Sequence, residues 1–134
     1  VIFNRNGDVL LLKRSENDSW CPGLWSLPGG KRENDETLYE NIVRETKEET
    51  GLTVWPNRIH FLTEVSEKYD HVFFVTDTFS GKVVLDHENS DFVWSKPHKI
   101  DESSSIPHLK EECVSAKQFI FRKITVKLNK KRKY

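Results

Sequence analysis

The chain lacks most of what marks a secreted, membrane-embedded or zinc-stapled protein. It has only two cysteines, Cys21 and Cys113, far apart in its 134 residues, which excludes a disulfide framework. No charged segment leads into an apolar signal stretch, and no apolar run is long enough to span a bilayer. The five histidines, His60, His71, His87, His98 and His108, show no ligand spacing, so a zinc site is not expected. Together these absences predict a reduced, cytoplasmic setting with no membrane partner. Net charge is also missing: 21 Lys and Arg balance 21 Asp and Glu. Whole-chain charge therefore offers no steering toward nucleic acid, and none is expected as a partner. Methionine is absent too, and nothing functional follows from that. There is no internal repeat and no low-complexity segment. Because the sequence starts at Val1, the true N-terminus is expected to lie upstream.

What is present fits one domain over residues 1–134, since a chain of this length has room for a single core. Monomer and homodimer both remain open. Residues 1–3 read as a strand stub, residues 4–8 as a turn and residues 9–12 as a short apolar strand, with Lys13 and Arg14 emerging at its end. Residues 15–28 are polar, aromatic and rich in turn residues, and read as a loop ending at Pro28-Gly29-Gly30. A helix is expected from Asp35, as cap, through Glu49, with Gly51 as its stop. Residues 58–66, 71–79, 82–85 and 92–94 read as strands. Leu109, Cys113, Ala116 and Ile120 share one face of a second, amphipathic helix over residues 107–120. The basic run 127–133 is expected to be a frayed, solvated end. The order of elements predicts an α/β (α+β) fold: an α/β/α sandwich around a mixed sheet, with the first helix after the Gly29-Gly30 loop.

The chemistry gathers on the first helix. On a wheel of about 100° per residue with Leu38 at zero, Leu38, Tyr39, Ile42, Val43 and Thr46 form the face expected to bury, and Glu49 falls inside that arc. Glu45 and Glu48 lie just beyond its edge, with Arg44 beside them. Three carboxylates at one margin of a packing face repel one another unless something positive neutralises them. Oxygen ligands of this kind suit Mg²⁺, with Mn²⁺ as a substitute. Arg44 stands four residues before Glu48, close enough to orient the carboxylates through a charge-assisted pair. On the helix alone, a merely solvated acidic stripe would explain the same residues.

The residues before the helix decide between these readings. Gly30, Glu36, Arg44, Glu45, Glu48, Glu49 and Gly51 stand at the spacing of the Nudix box, and chance occurrence is on the order of one in a million for a chain this long. The sequence resembles the Nudix family, and residues 23–31 resemble the lead-in of its MutT-like members. One departure is Thr46, where the pattern wants an aliphatic residue; its hydroxyl is expected to bond back toward the carbonyl of residue 42.

The resemblance implies a fold, a reaction and roles. Glu45 and Glu49 would be the principal metal ligands, with Glu48 and the Gly29 carbonyl adding to them. Glu36 would be a further acidic member, or simply a charge favoured by the helix dipole. The reaction would be attack of water on phosphorus in a nucleoside diphosphate linked to a group X. The proton acceptor would be a box glutamate or a loop glutamate, for which Glu88 is the candidate. Arg14 and Lys31 are candidate phosphate contacts, and Trp25 and Trp94 candidate stacking partners for the base or X group. Three functions fit: a nucleoside triphosphate pyrophosphohydrolase, a hydrolase of diadenosine polyphosphates or ADP-ribose, and a silent nucleotide- or RNA-binding domain. Tyr69 sits near a position that diadenosine hydrolases of the family use, whereas Glu67 stands where many ADP-ribose hydrolases carry proline.

Overall fold

A computed structural model describes residues 1–64 and 72–132 of the chain, without the side chains of residues 63–64 and 123–132. The polypeptide runs β1 (Val9–Arg14), β2 (Trp25–Ser26), α1 (Leu38–Thr50), β3 (His60–Glu64), β4 (Val72–Val75), β5 (Asn89–Ser95) and α2 (Leu109–Arg132), with short 3₁₀ turns between. Strand β1 is central to the antiparallel sheet β2-β1-β5, and β3 pairs with β4 in a second antiparallel ladder. The first residues stitch the two together. Ile2 bridges Thr76 in parallel and Phe3 bridges Val9 in antiparallel, while Phe3 N–H donates to the Thr76 carbonyl at 2.9 Å and Leu10 N–H to the Ile2 carbonyl at 3.0 Å.

β1 is an apolar run because both of its faces are covered. Val9 and Leu11 pack with Leu109, Cys113 and Ala116 of α2, whereas Leu10 and Leu12 pack on the opposite face with Ile2 and Leu52. The α1 residues Ile42 and Val43 cover a third cluster of Val54, Ile59 and Phe74. The architecture is the expected layered α/β arrangement, and the face predicted for the second helix is the face that buries.

Several local expectations need correction. Asp35 does not cap α1; its φ is +68°, and Thr37 is the cap, its hydroxyl accepting from the Glu40 N–H at 3.1 Å. Leu38 and Tyr39 are both 38% exposed rather than buried; Tyr39 covers the rim of the cluster, its ring centroid 5.0 Å from that of Phe74. Residues 82–85 form no strand: the Val84 N–H donates to the Thr50 carbonyl at 2.8 Å, so the segment closes the end of α1 instead of joining a ladder. Two residues of the expected loop, Trp25 and Ser26, pair with β1. The basic run is helical to Arg132 rather than frayed. Glu67, Tyr69 and His71 lie outside the described residues, as does the end of the strand expected at 58–66.

Candidate active site

The site is built where the Gly29-Gly30 turn meets the last two turns of α1. The Asn41 side-chain amide donates to the Lys31 carbonyl at 3.0 Å, tying the turn to the helix. At the other end Gly51, with φ +75°, terminates the helix, its N–H bonded to the Lys47 carbonyl. A side chain at Gly51 would meet the Lys82 carbonyl at 3.1 Å, so the stop signal also admits the segment that closes the helix end.

Glu49 points inward from this frame. It is 7% exposed, and its carboxylate accepts a 2.7 Å hydrogen bond from the Gly29 N–H. Burial nevertheless dominates and pushes its pKa up to about 8, with the nearby charges of Glu45, Asp86 and Glu88 adding to the rise. Glu45 is pushed up as well, chiefly by burial, although Arg44 opposes this. A Cβ at Gly30 would stand 2.5 Å from the Glu45 carboxylate, so any side chain there would displace the end of Glu45.

Arg44 organises the opposite margin. Its guanidinium bonds Glu36 through both Nε and Nη2 and Glu48 at 3.0 Å. It also lies 3.2 Å from Glu45 and 3.6 Å from Glu33. Arg44 holds the Glu36 carboxyl well below its ordinary range, at about 2. Glu36 is therefore an anchor for Arg44 across the turn, not a charge placed for the helix dipole.

The arrangement brings Glu45 and Glu49 together and draws Glu48 aside onto Arg44, where its side chain is 55% exposed. Among the described residues no three Asp, Glu, His or Cys side chains form a group that could hold a metal ion. Glu88 enters from the β4–β5 connection. Its carbonyl accepts from Ser15 N–H at 3.0 Å, and the Asp86 carboxylate bonds both the Glu88 N–H and the Asn89 amide. That turn sets the Glu88 charge near Glu45 and Glu49. Asp86 was missed in the sequence, although Asp-x-x-Asn after an apolar stretch is a legible turn signal.

A family model described as the NUDIX domain matches residues 1–117. The chain belongs to the Nudix hydrolase family. It is 35% identical over 103 residues to a CTP pyrophosphohydrolase of Escherichia coli, covering 74% of each chain. It is 27% identical over 114 residues to the uncharacterized Nudix hydrolase YvcI of Bacillus subtilis, covering 79% of this chain and 67% of the relative. The crystal structure of a MutT protein from Methanosarcina mazei superposes with a TM-score of 0.70 at 30% identity, covering 88% of both chains.

The remaining predicted residues of this Nudix domain fall in different surroundings. Arg14 is engaged within its own loop: it pairs with Asp18 at 2.5 Å, donates to the Trp20 carbonyl and lies 4.8 Å over the Trp20 ring. Lys31 is exposed beside the glycine turn. Trp25 packs against the α2-side core, and Trp94 stacks on Phe79 with ring centroids 5.6 Å apart. Two aromatics stay open near β1's end: Trp20, 47% exposed, and Phe92, paired across from Leu12 and 38% exposed.

Proposed function

We propose that this Nudix hydrolase cleaves a nucleoside triphosphate to monophosphate and pyrophosphate in a divalent-metal-dependent reaction. The observation that carries this is the pair Glu45 and Glu49, two carboxylates raised in pKa chiefly by burial, Glu49 bonded to the Gly29 N–H and Glu45 lying beside Arg44. The donor set is oxygen throughout, and its unbalanced charge fits a hard divalent ion such as Mg²⁺, or Mn²⁺ in its place. Glu45 and Glu49 would hold it, with the Gly29 carbonyl as a further ligand and Glu48, turned onto Arg44, contributing through water. When bound, such an ion neutralises phosphate oxygens and acidifies water.

The chain's own groups then have separable tasks. Arg44 fixes the directions of Glu45 and Glu48, and Glu36 fixes Arg44. Glu88, exposed on its turn, accepts the proton of the attacking water as the new phosphorus–oxygen bond forms and the anhydride oxygen leaves with pyrophosphate. Lys31 and the outer side of Arg14 meet the phosphates. Trp20, braced underneath by the Arg14 guanidinium, receives the base by stacking. The partly buried positions of Trp25, packed on the core, and Trp94, stacked on Phe79, favour a packing role for both.

Similarity to a CTP pyrophosphohydrolase supports a nucleoside triphosphate as substrate. The test is a panel of nucleoside triphosphates, diadenosine polyphosphates and ADP-ribose, assayed with and without Mg²⁺ and with products identified. Pyrophosphate release from a triphosphate only when Mg²⁺ is present is expected. Preference for the diphosphate-bridged compounds would replace this reading, and metal-independent activity would refute the mechanism.

A further inference from the structure

The buried residues of α1 are all polar: Asn41, Thr46, Glu49 and Thr50. Two of them are linked within the helix. The Thr50 hydroxyl donates to the Thr46 carbonyl at 2.6 Å and accepts from the Leu52 N–H at 3.1 Å, which closes the helix end. Asn41 and Glu49 reach out of the helix instead, and both reach the glycine turn.

Among the described residues, two hydrogen bonds hold residues 29–31 to α1. The Gly29 N–H donates to the Glu49 carboxylate at 2.7 Å, and the Asn41 side-chain amide donates to the Lys31 carbonyl at 3.0 Å. The first uses a carboxylate that the proposed reaction needs. The second uses a neutral amide that no step of that reaction claims, so its hold does not depend on the charge of Glu49. Gly30 lies between the two bonds with its Cα facing the Glu45 carboxylate, so a shift of the turn is felt at Glu45 as well.

Asn41 also serves the opposite margin. Arg44 does most to hold the Glu36 carboxyl low, the Glu33 N–H at 2.9 Å adds to it, and the Asn41 side chain contributes after them. The helix alone gives no reason for this residue, because asparagine is a weak helix former and a buried amide persists where its hydrogen bonds are made. Its partners are the turn over the site and the anchor of Arg44.

We propose that Asn41 is a positioning residue of this hydrolase. Its amide sets residues 29–31 in register with Glu45 and Glu49, and with them the Gly29 carbonyl and the Lys31 side chain. This rests on the metal-dependent reading above, in which that carbonyl is a ligand and Lys31 meets phosphate. Asn41 touches no reacting atom; it acts through the backbone it holds. Without it the turn depends on the Glu49 bond, and one carboxylate must then serve both the turn and the cation.

The test compares the full chain with Asn41→Ala and with Asn41→Leu, which keeps the volume and removes the donors. Amide hydrogen exchange followed by NMR should show the Gly29 N–H of both variants exchanging about tenfold faster, with residues 42–50 at their wild-type rates. Calorimetric titration with Mg²⁺ should show affinity about tenfold weaker in both. Alanine is the stronger helix former, so Asn41→Ala should melt within a few degrees of wild type. Unchanged Gly29 exchange overturns the proposal, and so does unchanged affinity where the wild type binds Mg²⁺. Faster exchange through the whole of α1, or wild-type behaviour of Asn41→Leu, overturns it too by making Asn41 a packing residue. A wild-type chain that neither binds nor needs Mg²⁺ would refute the metal-dependent reading instead, and the Gly29 exchange would still decide the role of Asn41.

Discussion

Glu36 and Glu49 are the same residue type at two margins of one cluster, and the fold treats them oppositely. Glu36 receives the Arg44 guanidinium and titrates at about 2. Among the described residues Glu49 receives the Gly29 N–H, and burial raises it to about 8. The protein neutralises one margin internally and leaves the other short of positive charge. A structural salt-bridge network would satisfy both. Here only the frame around Arg44 is satisfied, which is what the proposed metal role of Glu49 requires.

The sharpest way to break the comparison is to remove the uncompensated charge. Glu49→Gln keeps the volume and the acceptor for Gly29, so the domain should stay folded while kcat falls by about 10³-fold or more. Near-normal turnover would take Glu49 out of the mechanism. Next comes Gly30→Ala, which forces a methyl against the Glu45 carboxylate and should lower kcat/KM about 100-fold through misplacement. Its thermal unfolding should move far less than its rate, and equal losses in both would make Gly30 a packing residue.

On the compensated margin the expected effect is smaller. Arg44→Ala frees Glu36 and Glu48, and should weaken Mg²⁺ dependence about 10- to 100-fold in a metal titration of activity. An unchanged titration would deny Arg44 its positioning role.

The smallest effect is on stability, and its sign differs between the two carboxylates. Glu36 is depressed from its ordinary 4.5 to about 2, so its contribution is present above 4.5 and disappears as pH falls toward 2. Glu49 is raised from 4.5 to about 8, so the ion-free protein is favoured below 4.5 and loses that margin as pH rises to 8. Melting of the ion-free protein should therefore decline by a few degrees between these values. Mg²⁺ should restore more of it at the alkaline end, and Glu49→Gln should flatten the slope. A wild-type melting curve indifferent to pH across this window would show that Glu49 is not charge-starved.

Reading the sequence captured what is local. The box residues, the Gly51 stop, the Arg44–Glu48 contact and the buried face of α2 all follow from spacing along one helix, where neighbours in sequence are neighbours in space. Thr37 was also legible: Thr with Glu three residues later is a capping box, and Asp35 drew the cap away from it.

Other features had no local signal. That Arg44 belongs more to Glu36 than to Glu48 depends on the turn folding back over the helix. Residues 82–85 have strand composition but meet the end of α1 first, and the Thr50 carbonyl takes the hydrogen bond a ladder would have used. Trp25 and Trp94 look like stacking residues in the sequence, and whether an aromatic ring faces a ligand or a core is decided by which side of its strand is covered.

The sequence by itself determined the family, the helix that carries the carboxylates and the glycines that let the turn approach it, because backbone conformation and short-range spacing are written in residue type. Only the tertiary structure decided which carboxylates would be buried and which would be paired. Burial and pairing are set by surfaces brought together from Gly29, α1 and the Glu88 turn, which lie far apart along the chain.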